Sequence, residues 1–177
     1  MKRILIVTLI GFAALTAGCT GTKGTPTTTT TSGGSTPTSS SDSASGLGSV
    51  KPCELLTDSE AGGLGFSVPG EPEKSGTGAG CDWEVAGDGG LLVSVRTDKG
   101  LNDLNVQGDN VSKIKVGKFT ATKVEADNGS KASCTIIIGV TEKSSVSVLS
   151  TLKLTSEDTA ASCQRASKAA DLIAPKL

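Results

Sequence analysis

The sequence predicts an α+β domain: an antiparallel β-sheet packed by a short N-terminal helix and a C-terminal helix, and stapled by two disulfides. Three observations predict it. Between residues 81 and 152 apolar residues alternate with polar ones in successive short stretches, the period of half-buried strands. The run from Ala160 through Ile173 contains only residues that helices tolerate, behind the acids Glu157 and Asp158. Finally, Cys53, Cys81, Cys134 and Cys163 lie in a chain that opens like an exported one, and cysteines pair in oxidising compartments.

The elements follow in chain order. Residues 1–18 read as a signal peptide: Lys2 and Arg3 precede an apolar run from Ile4 through Leu15, too short to cross roughly 30 Å of hydrocarbon as a helix. Thr16, Ala17 and Gly18 then lead into Cys19. This resembles the bacterial lipobox, with Leu15 one place earlier than the usual leucine. Cysteine is needed there because its thiolate accepts a diacylglycerol group before the leader is removed. Two acyl chains anchor stably where one binds only marginally, at about 0.8 kcal/mol per buried methylene.

Residues 19–50 form the lipidated cysteine and a linker that is almost wholly Thr, Ser and Gly, with Lys23 and Asp42 its charges before Lys51. Such a tract has too little apolar surface to fold and is expected to be disordered. Its reach as a flexible coil is roughly 30 Å. Clustered Ser and Thr with Pro26 and Pro37 also suit a glycosylated stalk, although a plain spacer is the simpler reading.

Residues 51–177 hold one domain with a modest core. Pro52 suits a first helical turn, and Thr57 with Glu60 three residues on reads as a capping box, so Pro52 to Leu64 is expected to form one or two short helices. Gly76, Gly78 and Gly80 read as a flexible turn before a strand, since nucleotide-binding glycines follow a strand and open a helix. Cys81, Trp83 and Val85 alternate, Gly87 to Gly90 turn the chain, and Leu91, Val93 and Val95 alternate again. That is a hairpin. Trp83 is expected as a core ring over a disulfide.

Further strands are predicted over Lys113 to Val116, Phe119 to Val124, Cys134 to Val140 and Val146 to Leu152, with a short helix at Leu101 and Leu104. In the C-terminal helix Cys163, Ala166, Ala170 and Ile173 share one face, turned to the sheet. Four cysteines allow three pairings. Cys53 with Cys81 and Cys134 with Cys163 are favoured, each contributing about 3.5 kcal/mol by loop-closure entropy.

The segment Pro52, Cys53, Glu54, Leu55, Leu56, followed by Gly80, Cys81, Asp82, Trp83, resembles the actinobacterial lipoproteins of domain of unknown function 3558. That family pairs a proline-cysteine start and a glycine-cysteine-x-tryptophan strand with two later cysteines, behind a lipobox and a Ser/Thr tract. The resemblance spans roughly residues 50 to 175 and implies architecture, location and the four cysteines, with no activity to carry over.

Missing residue types narrow the chemistry. The chain has no histidine, which removes Ser-His-Asp and Cys-His catalysis and histidine-ligated metals. Ser112 and Lys115 have the spacing of a serine-lysine dyad but lie in a predicted strand. Asp103, Asn105, Gln107 and Gly108 copy the opening of a calcium loop, yet Ile114 stands where the bidentate carboxylate belongs, so an ordinary polar loop is expected. No Cys-x-x-Cys pair suggests zinc or redox chemistry.

Losing Lys2 and Arg3 with the leader leaves 15 basic against 18 acidic residues, a net charge of −3, and the mature aromatics are Phe66, Trp83 and Phe119. Neither feature suits nucleic acid. The sequence therefore predicts no enzyme, metal or cofactor. It predicts a lipoprotein held by Cys19 at the extracytoplasmic face of the cell membrane, a non-catalytic module for a small ligand, lipid or protein partner of the envelope. The alternatives are a structural surface protein and a histidine-independent envelope hydrolase.

Overall fold

The computed structural model describes residues 46–177. The signal peptide, Cys19 and the Ser/Thr tract through residue 45 lie outside the described residues. Leu47, on the linker side of the boundary drawn at residue 50, is 1% exposed and belongs to the core.

A 3-10 turn at Pro52–Glu54 leads to helix α1, Asp58–Gly63. The capping box is formed: Glu60 N donates to Thr57 Oγ1 at 3.3 Å, and Thr57 N donates to Glu60 Oε2 at 2.8 Å. Strands β1 (Glu71–Ser75), β2 (Gly78–Glu84), β3 (Gly90–Arg96), β4 (Asn110–Val116), β5 (Phe119–Glu125), β6 (Ser133–Thr141) and β7 (Ser144–Thr151) make one antiparallel sheet in the order β1-β2-β3-β7-β6-β5-β4. Helix α2, Thr159–Ile173, follows, with Asp158 as its cap: Asp158 Oδ1 accepts from Ala161 N at 2.9 Å. The α+β fold is as the sequence predicts.

The sheet has two unlike faces, fixed by register. On one, Cys81, Trp83, Leu91, Val93, Ile136, Ile138, Val146 and Val148 are buried beneath α2 and the N-terminal turns. Ala166, Ala169 and Ala170 carry so little side chain that α2 settles closely on β6 and β7. Cys134 on β6 bonds Cys163 on α2, and Cys53 bonds Cys81, the two favoured pairings.

Among the described residues, the opposite face is crossed by the connection from β3 to β4, residues 97–109. Because β3 is interior and β4 lies at the far edge, this connection must pass over β7, β6 and β5. Ser145 Oγ donates to Lys99 O at 2.8 Å at one end of this strap, and Asn128 N donates to Gln107 O at 2.9 Å at the other. Between them Leu101 lies on Gly139, where a Cβ would stand 2.8 Å from Leu101 Cδ1. The predicted helix at Leu101 and Leu104 is a single 3-10 turn, Leu101–Asp103, with Leu104 already extended.

A further expectation is corrected. Gly78 and Gly80 do not form a turn but lie inside β2, where a Cβ on Gly78 would come within 2.6 Å of Val95 O and one on Gly80 within 3.2 Å of Leu92 Cδ1. The strands approach too closely there for a side chain. Gly76 alone serves the turn, at φ +61°. In addition, β1 precedes that turn as an edge strand that no apolar alternation announces.

Candidate functional site

A half-open cleft of about 610 Å³ lies on the strapped face. Its apolar lining comes from Leu101 and Val106 on the strap, Val111 on β4, Phe119 on β5 and Val140 on β6. Its polar rim carries Lys113, Lys118, Thr120, Thr122 and Glu142. The cleft exists because the strap bridges the sheet without filling it. Gly139 lets Leu101 down onto β6, while β5 places the threonines Thr120 and Thr122 beneath the gap.

The cations near this cleft divide into engaged and free. Lys115 Nζ donates to Thr120 Oγ1 at 3.0 Å and Lys143 reaches Asp103 at 3.8 Å, whereas Lys123, paired with Glu125 at 2.5 Å, lies on the other face, toward α2. Hydrogen bonding from Lys123, then Asn110, holds the Glu125 carboxyl below its ordinary range. Lys113 and Lys118 form no salt bridge among the described residues. Lys118 lines the cleft, and its Nζ sits 4.8 Å from the centre of the Phe119 ring, a cation-π contact with a side chain that packs against the core.

At the other end of the same face, Glu71 and Glu73 on β1 stand opposite Asp82 and Gly80 on β2, with Glu84 nearby. Burial, and after it the charges of Glu73, Glu84 and Glu71, pushes the Asp82 carboxyl above its usual range. Carboxylates therefore gather over β1 and β2 on this face, while Lys113 and Lys115 stand on β4.

The other candidates fall in known places. Ser112 and Lys115 are three apart on β4 and so point to opposite faces: Ser112 is opposite Lys123 and Lys115 opposite Thr120. They cannot act as a dyad. Asp103 spends its carboxylate on Gly100 N at 3.0 Å and on Lys143. Asn105 and Gln107 border a separate hollow of about 180 Å³, and Gly108 is needed because a Cβ would stand 2.5 Å from Glu125 O. Ile114 is half-buried beside the core. All four domain cysteines are consumed in disulfides. Trp83 is 1% exposed, and a Cβ on Gly70 would collide with both its ring and Cys81 Sγ, which puts the ring edge beside the Cys53–Cys81 bridge.

Sequence reasoning missed the cleft altogether. Its walls come from five separate stretches of chain, and the only local signal was the spacing of unpaired lysines around β4.

A family model with the description "Protein of unknown function (DUF3558)" matches residues 14–176. Neither a curated protein nor a solved structure matches.

Proposed function

The chain belongs to the DUF3558 family, and from that premise we propose that it is an actinobacterial lipoprotein, acylated on Cys19, whose domain is a non-catalytic binding module of the cell envelope. The observation that carries the binding reading is the cleft. A half-open hollow of about 610 Å³ with an apolar lining and a few polar groups at its rim has the size and character of a small-ligand site. No histidine is present, and Ser112 and Lys115, which have a serine-lysine spacing, are split between two faces of a strand. The family match begins at residue 14 and so runs through Cys19 and the Ser/Thr tract, which supports treating that segment as part of one pattern with the domain.

Two measurements test this. Intact-mass analysis of the protein from its membrane fraction is expected to find residues 1–18 removed and a diacylglycerol on Cys19; an unmodified cysteine overturns the anchoring. For the cleft, the uncharged dye Nile red is expected to bind the wild-type chain and to be lost in Thr122→Trp, which fills the hollow from β5. Absence of dye binding to the wild type would sink the binding reading.

A further inference from the structure

We propose that the cleft takes a single-chain amphiphile with an anionic head group, the alkyl chain lying along Leu101, Val106, Val111 and Val140 and the head meeting Lys113 and Lys118. This rests on the binding reading above and adds the ligand's chemistry to it. The volume falls within the range of about 300–1,000 Å³ in which one small ligand is held, and so suits one chain rather than a bundle of chains.

Charge decides the head group. The rim carries two ammonium groups with no carboxylate partner among the described residues against one carboxylate, Glu142, in a chain whose formal charge is −1 overall. Among the described residues Lys115 bonds Thr120 and Lys143 reaches Asp103, whereas Lys113 and Lys118 have neither a hydrogen-bonded nor a carboxylate partner. Lysines on an edge strand also discourage strand-to-strand association, and that alone would account for Lys113 and Lys115. It does not account for Lys118, which follows Gly117 in the turn after β4, outside the ladder, and lines the cleft. The carboxylates Glu71, Glu73, Asp82 and Glu84 at the far end of the face repel an anion there and leave the β4 end as its favourable side.

The test uses the full chain carrying Cys19→Ser, which removes the acylation site and leaves residues 46–177 unaltered. Calorimetric titration compares dodecanoate, its uncharged counterpart glycerol monododecanoate, and acetate as a head group without a chain, all below micelle-forming concentrations. Dodecanoate is expected to bind about tenfold more tightly than the uncharged ester, the effect of a charge-assisted contact of roughly 1.4 kcal/mol, with acetate not binding detectably. In Lys113→Gln/Lys118→Gln that gap is expected to close while the ester's affinity holds. Lys118→Gln alone, in the turn, narrows the gap and serves if the double variant fails to fold. Equal affinity for the two dodecyl compounds, or a gap that survives both substitutions, overturns the anionic head while leaving the binding reading standing. Binding of acetate as tight as that of dodecanoate overturns the amphiphile. If neither dodecyl compound binds, the amphiphile is overturned, and Nile red binding decides separately whether the binding reading stands.

Discussion

Trp83 is the largest of the fully buried side chains, yet its Nε1 finds no acceptor among the described residues. A buried donor without a partner costs about 1–3 kcal/mol, so the ring stabilises the core through its area and not through its polar end. Trp83→Ala is accordingly expected to lose about 3–5 kcal/mol in urea denaturation, whereas Trp83→Phe loses less than half as much because it discards the unpaired N–H along with some volume. A Phe variant as unstable as the Ala variant would show that the indole nitrogen is satisfied. Glu60 behaves in the opposite way. Its carboxylate accepts from Lys176 Nζ at 2.5 Å and from Thr57 N at 2.8 Å, and these bonds, that from Lys176 first, pull its pKa down to about 2. Because the folded value lies below the unfolded one, the stabilisation is complete above about pH 4.5 and is lost as pH falls through about 2. Wild type is therefore expected to exceed Glu60→Gln in stability at neutral pH, with the difference shrinking across that acid window; a constant difference would refute the pairing.

Among the elements, legibility follows burial. Helix α2 was readable because Cys163, Ala166, Ala170 and Ile173 repeat at helical spacing against a sheet, and all four are buried. The β2–β3 hairpin was readable because one face is core, forcing apolar alternation on both strands. Strand β1, Glu-Pro-Glu-Lys-Ser, is exposed at four of its five positions, and without a buried face it has no pattern to show. The same logic hid Gly78 and Gly80, whose lack of a side chain serves close strand approach rather than a turn. The cysteine pairs were favoured from loop size and from the inward position of Cys163, and both pairs form. Cys134→Ala with Cys163→Ala unties α2 from β6 and is expected to lose about 3 kcal/mol of unfolding free energy. A loss below 1 kcal/mol, measured by the same denaturation, would mean that the alanine face alone holds the helix. Arg165 supplies a second tie from α2, donating to Asp88 Oδ2 at 2.8 Å and to Thr151 O at 3.2 Å, and this bond from Arg165 holds the Asp88 carboxyl below its ordinary range.

At the scale of the whole molecule, an open seven-stranded sheet must manage two edges. Pro72 and the carboxylates Glu71 and Glu73 guard β1, while Lys113 and Lys115 guard β4. Replacing both lysines by valine is expected to turn β4 into a pairing surface, visible as concentration-dependent association in light scattering; a variant that stays monomeric at high concentration would place the protection elsewhere. The cleft beside β4 could not be read from sequence because it is a product of topology. It arises where the strap must travel from an interior strand to the far edge, and no local pattern encodes the height at which a connection passes over a sheet. The chain's single tryptophan lies beside the Cys53–Cys81 bridge, and a nearby disulfide dims indole emission. The protein thus carries its own optical gauge of oxidation: brightening on mild reductant, before any red shift, would time the opening of that bridge ahead of the collapse of the core.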